Sequence, residues 1–416
     1  MSSSVQDHLI NRIARFGPIT FSEFMETALY SHGQGYYSNI KYHDQSPDFF
    51  TSPTAHPAFG SLLSLQLEEM WNLMEMPPVF TIVEVGAGNR LLANDILQYI
   101  KNLNPRFQKA IKYYCIDRSR KDYFSNRDQP TQLDFPNNVI HWIESEHLPL
   151  NKLVGCILSN ELLDAMPVHR VTVHKGHLKE LLVGYEDGKF VEIISDPSTK
   201  ELNARLEKEE IHLKERQLAE ICLSLEPWMK NISEALERGF VLTIDYGHPA
   251  KLLYSPTKPY GTIRCYYNHT LSQNPYERVG LQDITAHVDF TAVMTLGKQY
   301  GLKNDGFESQ ANFMNHLGLT TLIRGLRNLN IEQRERDANR MGMLELSRMG
   351  GLGEFRVLVQ SKGINKRNIT GFEGPSETWS DRLKTLPIPL LNKEHLNLMQ
   401  ARYPHTAWSW EYNPFK

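Results

Sequence analysis

Residues 81–97, Thr81-Ile-Val-Glu-Val-Gly-Ala-Gly-Asn-Arg-Leu-Leu-Ala-Asn-Asp-Ile-Leu97, carry the stretch that decides the fold. Thr81 to Glu84 end an apolar run of the kind that forms a strand buried on both faces. Gly86 and Gly88 then make a turn, and Leu91 to Leu97 read as the first turns of a helix. Strand, glycine turn and helix form the entry unit of a nucleotide-binding α/β domain. The glycines let the backbone turn tightly and let a ligand approach the main chain. Two kinds of ligand use such a turn. A dinucleotide wants G-x-G-x-x-G, because its pyrophosphate sits on the helix N-terminus. Here the sixth position is Leu91, so the third glycine is missing. An S-adenosylmethionine site wants acid-x-G-x-G, because that ligand has no phosphate to seat, and Glu84-Val85-Gly86-Ala87-Gly88 fits. A tight βα turn that holds no ligand stays open as a third reading.

Further strands are expected at 79–85, 112–117, 139–143, 155–160 and 240–246, each an apolar run ending in polar or acidic residues. In open α/β sheets those carboxyl ends line the ligand crevice. Upstream, residues 1–75 read as a helical region, with Thr20 to Glu23 as a capping box. An insertion at 170–238 begins with alternating segments at 170–174, 178–186 and 189–195, the last two joined by an Asp187-Gly188 hairpin turn. Its second part, 200–238, reads as charged and helical. The core is then 76–169 with 239–363. Within it, 248–290 shows little periodicity and reads as a long functional loop. Residues 291–300 and 307–317 read as helices and 354–360 as a last strand. From 364 to 416 the composition changes to a C-terminal extension holding Trp379, Trp408 and Trp410.

Composition excludes several classes. A net charge of −3 gives no global reason for nucleic-acid binding. No apolar stretch reaches the length of a membrane span. The four cysteines form no C-x-x-C pair, which argues against zinc and for reduced thiols. The N-terminus lacks a secretory h-region, and the chain reads as cytoplasmic. Oligomeric state is not legible.

Three groups of residues could carry chemistry. Asp117 ends the second strand, where an acid can take both hydroxyls of an adenosine ribose, or merely cap the next helix. Asn160, Glu161 and Asp164 follow the fourth strand. Carboxylates three apart on a helical turn point to one side and could clamp a guanidinium in a bidentate way. His287-Val288-Asp289 could be a general-base pair or a polar loop ending in a cap. His269 lies in the same long loop. No P-loop, G-x-S-x-G or metal-ligand motif is present.

With these pieces in place the chain resembles the MidA-type S-adenosylmethionine-dependent methyltransferases over roughly residues 15–363. The resemblance rests on motifs in order: Gly17 to Phe21 with Phe24-Met25; Ala28 to Tyr30 with Gly35 to Tyr37; Asp48 to Pro53; Glu84 to Gly88 with Asp95; Asn160 to Val168; Asp245 to Gly247; Tyr260 to Thr262 with Arg264; and Gln282 to Phe290. It implies an α/β fold of the class I methyltransferase type: a Rossmann-like, seven-stranded, mostly parallel sheet with N-terminal helices and an inserted α+β region. It implies S-adenosylmethionine as cofactor, near Phe50, Thr51, Glu84, Gly86, Gly88 and Asp117, with Phe49 and Tyr246 as aromatic neighbours of the sulfonium. It places the acceptor near Asn160, Glu161 and Asp164, under the 282–289 loop with His287 and Asp289. The family includes a mitochondrial complex I assembly factor that modifies arginine. A protein arginine, in a respiratory-complex subunit as one candidate, is therefore the implied acceptor. Two positions depart from the family: Arg90 stands where a further glycine is usual, and Pro47 where Gly often precedes Asp48. The competing readings are a methyltransferase acting on a small-molecule amine, a non-catalytic assembly relative and, more distantly, an NAD dehydrogenase.

Overall fold

The computed structural model describes residues 4–38, 50–118, 140–144, 148, 151–267, 270–365 and 368–395. Pro47, Asp48, Phe49, His269, Trp408 and Trp410 lie outside them. The centre is a seven-stranded sheet. In chain order its strands are Phe80–Val85 (β1), Ile111–Asp117 (β2), Ile140–Glu144 (β3), Leu153–Asn160 (β4), Leu236–Asp245 (β5), Lys303–Ser309 (β6) and Arg356–Lys362 (β7). Across the sheet the order is β3-β2-β1-β4-β5-β7-β6. Neighbours among β1 to β5 pair in parallel, whereas β7 runs antiparallel to both β5 and β6. The sheet is therefore mixed. Its order reverses between β1 and β4, the switch point at which open α/β sheets form a crevice.

Alternation along the strands splits the core into two layers. Ile82, Cys156, Leu158 and Leu242 face one layer, with the helices Ala58–Leu73 and Leu91–Ile100. Val83, Ile157, Val241 and Leu358 face the other, with the helices Leu225–Ala235 and Phe290–Gln299. Two glycines set the closeness of the central strands. Gly155 on β4 pairs with Thr81 on β1, and Gly239 on β5 pairs with Gly155. Their φ angles are 153° and 145°. A Cβ at Gly155 would overlap the Thr81 carbonyl, and one at Gly239 the Gly155 carbonyl. Gly155→Ala should therefore cost about 3 kcal/mol of stability, because backbone rather than a flexible side chain must move. Urea unfolding checks this, and a loss below about 1 kcal/mol would show that the strands part easily.

A second sheet, wholly antiparallel, runs Ile19–Thr20, His177–Glu186, His169–His174, Leu218–Ile221, with Lys189–Ser195 also paired to His177–Glu186. Asp187 and Gly188 turn its hairpin with φ angles of 47° and 78°, as a two-residue hairpin of this type requires. Helices Val5–Phe16 and Phe21–Tyr30 pack on this sheet, burying Leu9, Phe21, Phe24 and Met25 against Val183, Ile263 and Ile284.

Several local expectations need correction. Thr20 does cap its helix, accepting the Glu23 N–H at 3.1 Å, but the Glu23 carboxylate turns to Arg12 instead of reaching back. The 200–238 stretch contains a strand, Leu218–Ile221, beside its helices. The 248–290 segment is no structureless loop. It holds a three-stranded sheet of Arg264–Tyr267, Thr270–Ser272 and Asp283–Thr285. The helix expected at 307–317 starts only at Gln310, because 307–309 complete β6. β6 is a half-exposed edge with Asn304, Asp305 and Gly306 inside it, so neither alternation nor strand propensity betrays it. The described part of the C-terminal extension lies on the main core. Ile369 and Leu383 are buried there, and the Trp379 indole N–H donates to the Leu317 carbonyl at 3.1 Å.

Candidate active site

A cleft of about 1040 Å³ opens at the carboxyl ends of β1, β2 and β4. Its one end is the glycine turn. Gly86 and Gly88 have φ angles of 74° and 51°, which L side chains rarely adopt. A Cβ on Gly86 would stand 2.9 Å from Leu162 Cδ1, whereas one on Gly88 would meet nothing within 4 Å. The turn is thus closed behind and open toward the cleft, a cradle that fits a ligand lying against the main chain. Asp117 lines the same space and accepts the Gly88 N–H at 3.2 Å. Glu84 and Thr51 line it as well. Burial pushes Glu84 up to about 8, against the pull of the Tyr113 hydroxyl, which donates to it at 2.7 Å. Arg90 sits outside the lining, in a left-handed conformation (φ 66°) at the cap of helix Leu91–Ile100. It does not occupy the cradle.

The other end follows β4. Asn160, Glu161 and Asp164 all line the cleft. Glu161 has φ 50°, an uncommon conformation for a residue with a Cβ, and its Oε1 accepts the Asn160 amide at 3.0 Å. Burial and the neighbouring Asp164 push Glu161 up to about 8. Burial pushes Asp164 up to about 6, with Tyr246 opposing the shift. Asp164 Oδ1 and Asn160 Oδ1 are buried with no hydrogen-bond partner. A buried acceptor in that state awaits a donor.

What holds this turn is Asp245 at the end of β5. Its Oδ2 accepts the N–H groups of Leu162 at 3.1 Å and Leu163 at 2.9 Å, and its Oδ1 accepts that of Tyr246 at 2.9 Å. Burial, together with Asp164, still drives its carboxyl well above the usual range. Asp283 also lines the cleft, and its Oδ1 accepts the Tyr37 hydroxyl at 2.8 Å. The sequence reading gives neither a role of its own: Asp245 falls in the Asp245 to Gly247 motif at a strand end, and Asp283 in the 282–289 loop.

The structure does not bring all the expected residues together. Phe50 packs against the main core and does not line the cleft. His287 and Asp289 border a separate small cavity. Asp289 caps helix Phe290–Gln299, accepting the Ala292 N–H at 3.1 Å. The His287 ring packs edge-on to Tyr246 at 5.2 Å, and its Nδ1 has no partner. Among the described residues no hydrogen bond joins the two, and no acid or thiol cluster could hold a metal.

A glycine cradle beside β1, an acid ending β2 and a cleft at the switch point define an α/β methyltransferase. The chain belongs to the family described as "Putative S-adenosyl-L-methionine-dependent methyltransferase", whose family model matches residues 62–308. It is similar to the protein arginine methyltransferase NDUFAF7 homolog, mitochondrial, of Drosophila melanogaster, at 26% identity over 324 residues, covering 72% of this chain and 71% of that protein. The Homo sapiens protein arginine methyltransferase NDUFAF7, mitochondrial, is 26% identical over 343 residues, covering 77% of this chain and 74% of its own length. A COG1565 superfamily structure from Burkholderia thailandensis, bound to S-adenosyl-homocysteine, superposes with a TM-score of 0.77 at 26% identity, covering 90% of this chain and 96% of that one. S-adenosylmethionine is the cofactor of this family. Among the described residues no helix is long and apolar enough to cross a membrane.

Proposed function

We propose that this chain transfers the methyl group of S-adenosylmethionine to the guanidinium of an arginine on a partner protein. The observation that carries the reading is the buried, unpartnered Asp164 oxygen in a cleft that also holds Glu161 and the glycine cradle. The likeness to mitochondrial protein arginine methyltransferases supports the same acceptor. When bound, the cofactor supplies an electrophilic methyl on a cationic sulfonium. Gly86 and Gly88 accept its close approach, Asp117 takes ribose hydroxyls, and Glu84 and Thr51 border it.

Asn160, Glu161 and Asp164 do the acceptor's work. Arginine stays protonated at ordinary pH and offers N–H donors in a planar fork. Two carboxylates orient that fork and draw its charge away from the attacking nitrogen. Orientation of this kind contributes up to ~7–11 kcal/mol in favourable cases. The attacking nitrogen releases one proton as the methyl arrives. Glu161 and Asp164, pushed up to about 8 and about 6, are poised to receive it.

Methyl-labelled S-adenosylmethionine tests the proposal, given to the protein with a proteome from cells lacking it. Respiratory-complex subunits are the first candidates. Acid hydrolysis should return labelled methylarginine from the protein fraction. Label confined to small-molecule amines would reject the proposed acceptor.

A further inference from the structure

The cleft reaches well past the residues assigned to donor and acceptor. At about 1040 Å³ it stands at the upper limit of the roughly 300–1,000 Å³ that encloses one drug-sized ligand. Much of its remaining lining comes from two helices. Ser22, Glu23, Glu26 and Tyr30 recur on one face of helix Phe21–Tyr30 and form one wall. Pro227, Trp228, Asn231 and Glu234 do the same on helix Leu225–Ala235 and form another. Met166 and Pro167, just past Asp164, line the cleft as well. Two contacts tie the walls to the acceptor turn. The Tyr30 hydroxyl donates to the Ala165 carbonyl at 2.9 Å, so the last turn of the first helix closes on that segment. His169, two residues past Pro167, pairs with Ile221, which brings the start of the second helix beside it. From Tyr30 the first wall runs about 12 Å to Ser22, at about 1.5 Å per helical residue. That is the length of about three or four residues of extended chain.

The charged side chains of both walls are paired. Glu23 meets Arg12 at 2.9 Å, Glu26 meets Arg118 at 2.6 Å, and Lys230 meets Glu234 at 3.9 Å. The walls therefore offer a ligand no net charge, and what they present beside these pairs is apolar: Pro227, Trp228, Met166 and Pro167. Trp228 is half-buried, packed like Met166 against the core layer of Val83 and Ile157. Trp71 and Trp379 donate their indole N–H groups to carbonyls, at 2.9 Å and 3.1 Å. Among the described residues none accepts that of Trp228. A tryptophan with its body in a cleft and its donor unengaged suits contact with another chain, where an apolar ring and a polar tip both find partners. A small-molecule amine would leave both walls unfilled.

We infer that helices Phe21–Tyr30 and Leu225–Ala235 form a docking groove for the chain that flanks the acceptor arginine. Its occupant is an extended segment of the partner protein, with an apolar side chain within about three residues of the arginine and seated on Trp228. The inference rests on the arginine reading above. Recognition is divided between the two parts of the cleft. Glu161 and Asp164 select the cation that is methylated, and the groove selects its apolar neighbour. The paired wall charges give neither an acidic nor a basic flank an advantage, because an exposed charge that already has a partner adds little.

The test uses the full chain, saturated with S-adenosyl-homocysteine, and fluorescent seven-residue peptides with a central arginine. The flanks are leucines and serines in one, serines alone in a second, and lysines and serines in a third. The leucine peptide should bind about tenfold more tightly than the serine one, the worth of burying one apolar side chain. Trp228→Ala should erase that difference, and Trp228→Phe should keep most of it. Ser22→Tyr, which fills the groove from the opposite wall and removes no packing, should erase it too. Cofactor affinity should stay unchanged in all three variants. Equal binding of the leucine and serine peptides by the parent protein overturns the inference. So does a preference that survives both Trp228→Ala and Ser22→Tyr, or a lysine peptide that binds more tightly than the leucine one. Labelled S-adenosylmethionine, added in place of S-adenosyl-homocysteine, reads the arginine assignment separately. Methyl transfer to the peptides with no difference in binding keeps the arginine and removes the groove. A binding difference lost in both variants, with no methyl transfer, keeps the groove and removes the arginine.

Discussion

Asp164→Asn and Glu161→Gln should each lower methyl transfer by about 10²–10⁴-fold while leaving S-adenosylmethionine affinity within about threefold. Each replacement keeps the shape of the side chain and turns one acceptor oxygen into an N–H donor that opposes the guanidinium fork. The donor end of the cleft, at Gly86, Gly88 and Asp117, is built on other strands and should be untouched. The pH profile follows from the same carboxyls. Both must be ionised to hold a cation, and they are raised to about 6 and about 8. kcat/KM should therefore climb between about pH 6 and pH 8 and level off above, and Glu161→Gln should lose the upper part of that climb. The sign for stability is the reverse. A carboxyl raised in the folded protein binds more protons there than when unfolded, so the fold loses stability as pH rises from the unfolded value toward about 8. Glu161→Gln should accordingly raise the melting temperature at pH 8 more than at pH 5. Turnover within threefold of the parent for Asp164→Asn would sink the clamp.

His395→Ala should destabilise the protein by about 3 kcal/mol. The imidazole is wholly buried, with Nε2 3.0 Å from Asp95 Oδ2 and Nδ1 2.8 Å from Asn392 Oδ1. Removing it leaves the Asp95 carboxyl alone in a site where burial already raises its pKa. Asp95 can respond by keeping its proton, which limits the loss. Its helix, Leu91–Ile100, begins directly after the glycine turn, so a weaker donor affinity should accompany the loss of stability. Urea unfolding and a cofactor titration of the same variant measure both, with Asp95→Asn closing a double-mutant cycle. A loss under about 1 kcal/mol, or additive single effects, would show that the pair does not bind the C-terminal extension to the core.

The parts of this fold that were legible in the sequence are those with a strong local signal. β1, β2, β4 and β5 are apolar runs ending in acids or amides, and the glycine turn announces itself by residues that must take positive φ. β6 is silent because an edge strand need bury little, and Leu218–Ile221 is hidden between charged segments. The acid cluster divides in the same way. Glu161 and Asp164 stand three apart in one segment, so their meeting is local. Asp245 and Asp283 join them only across the tertiary fold, 81 and 119 residues from Asp164. The His287-Val288-Asp289 pattern shows the opposite limit. His287 precedes the two-residue strand Val288–Asp289 and its ring packs on Tyr246, whereas Asp289 turns to cap the following helix, so closeness in sequence was no guide.

The pairing of Ile19–Thr20 with Leu182 and Val183 has a consequence for synthesis. The N-terminal helices leave the ribosome first, yet the sheet that covers Leu9, Phe21, Phe24 and Met25 is made about 160 residues later. At about 5–20 residues per second, that is a delay of about 10–30 s. During it an amphipathic segment has nothing to fold against. Until then the apolar faces of both helices stay open to water. One wall of the cleft, which includes Tyr30 and Tyr37, waits on the same delay.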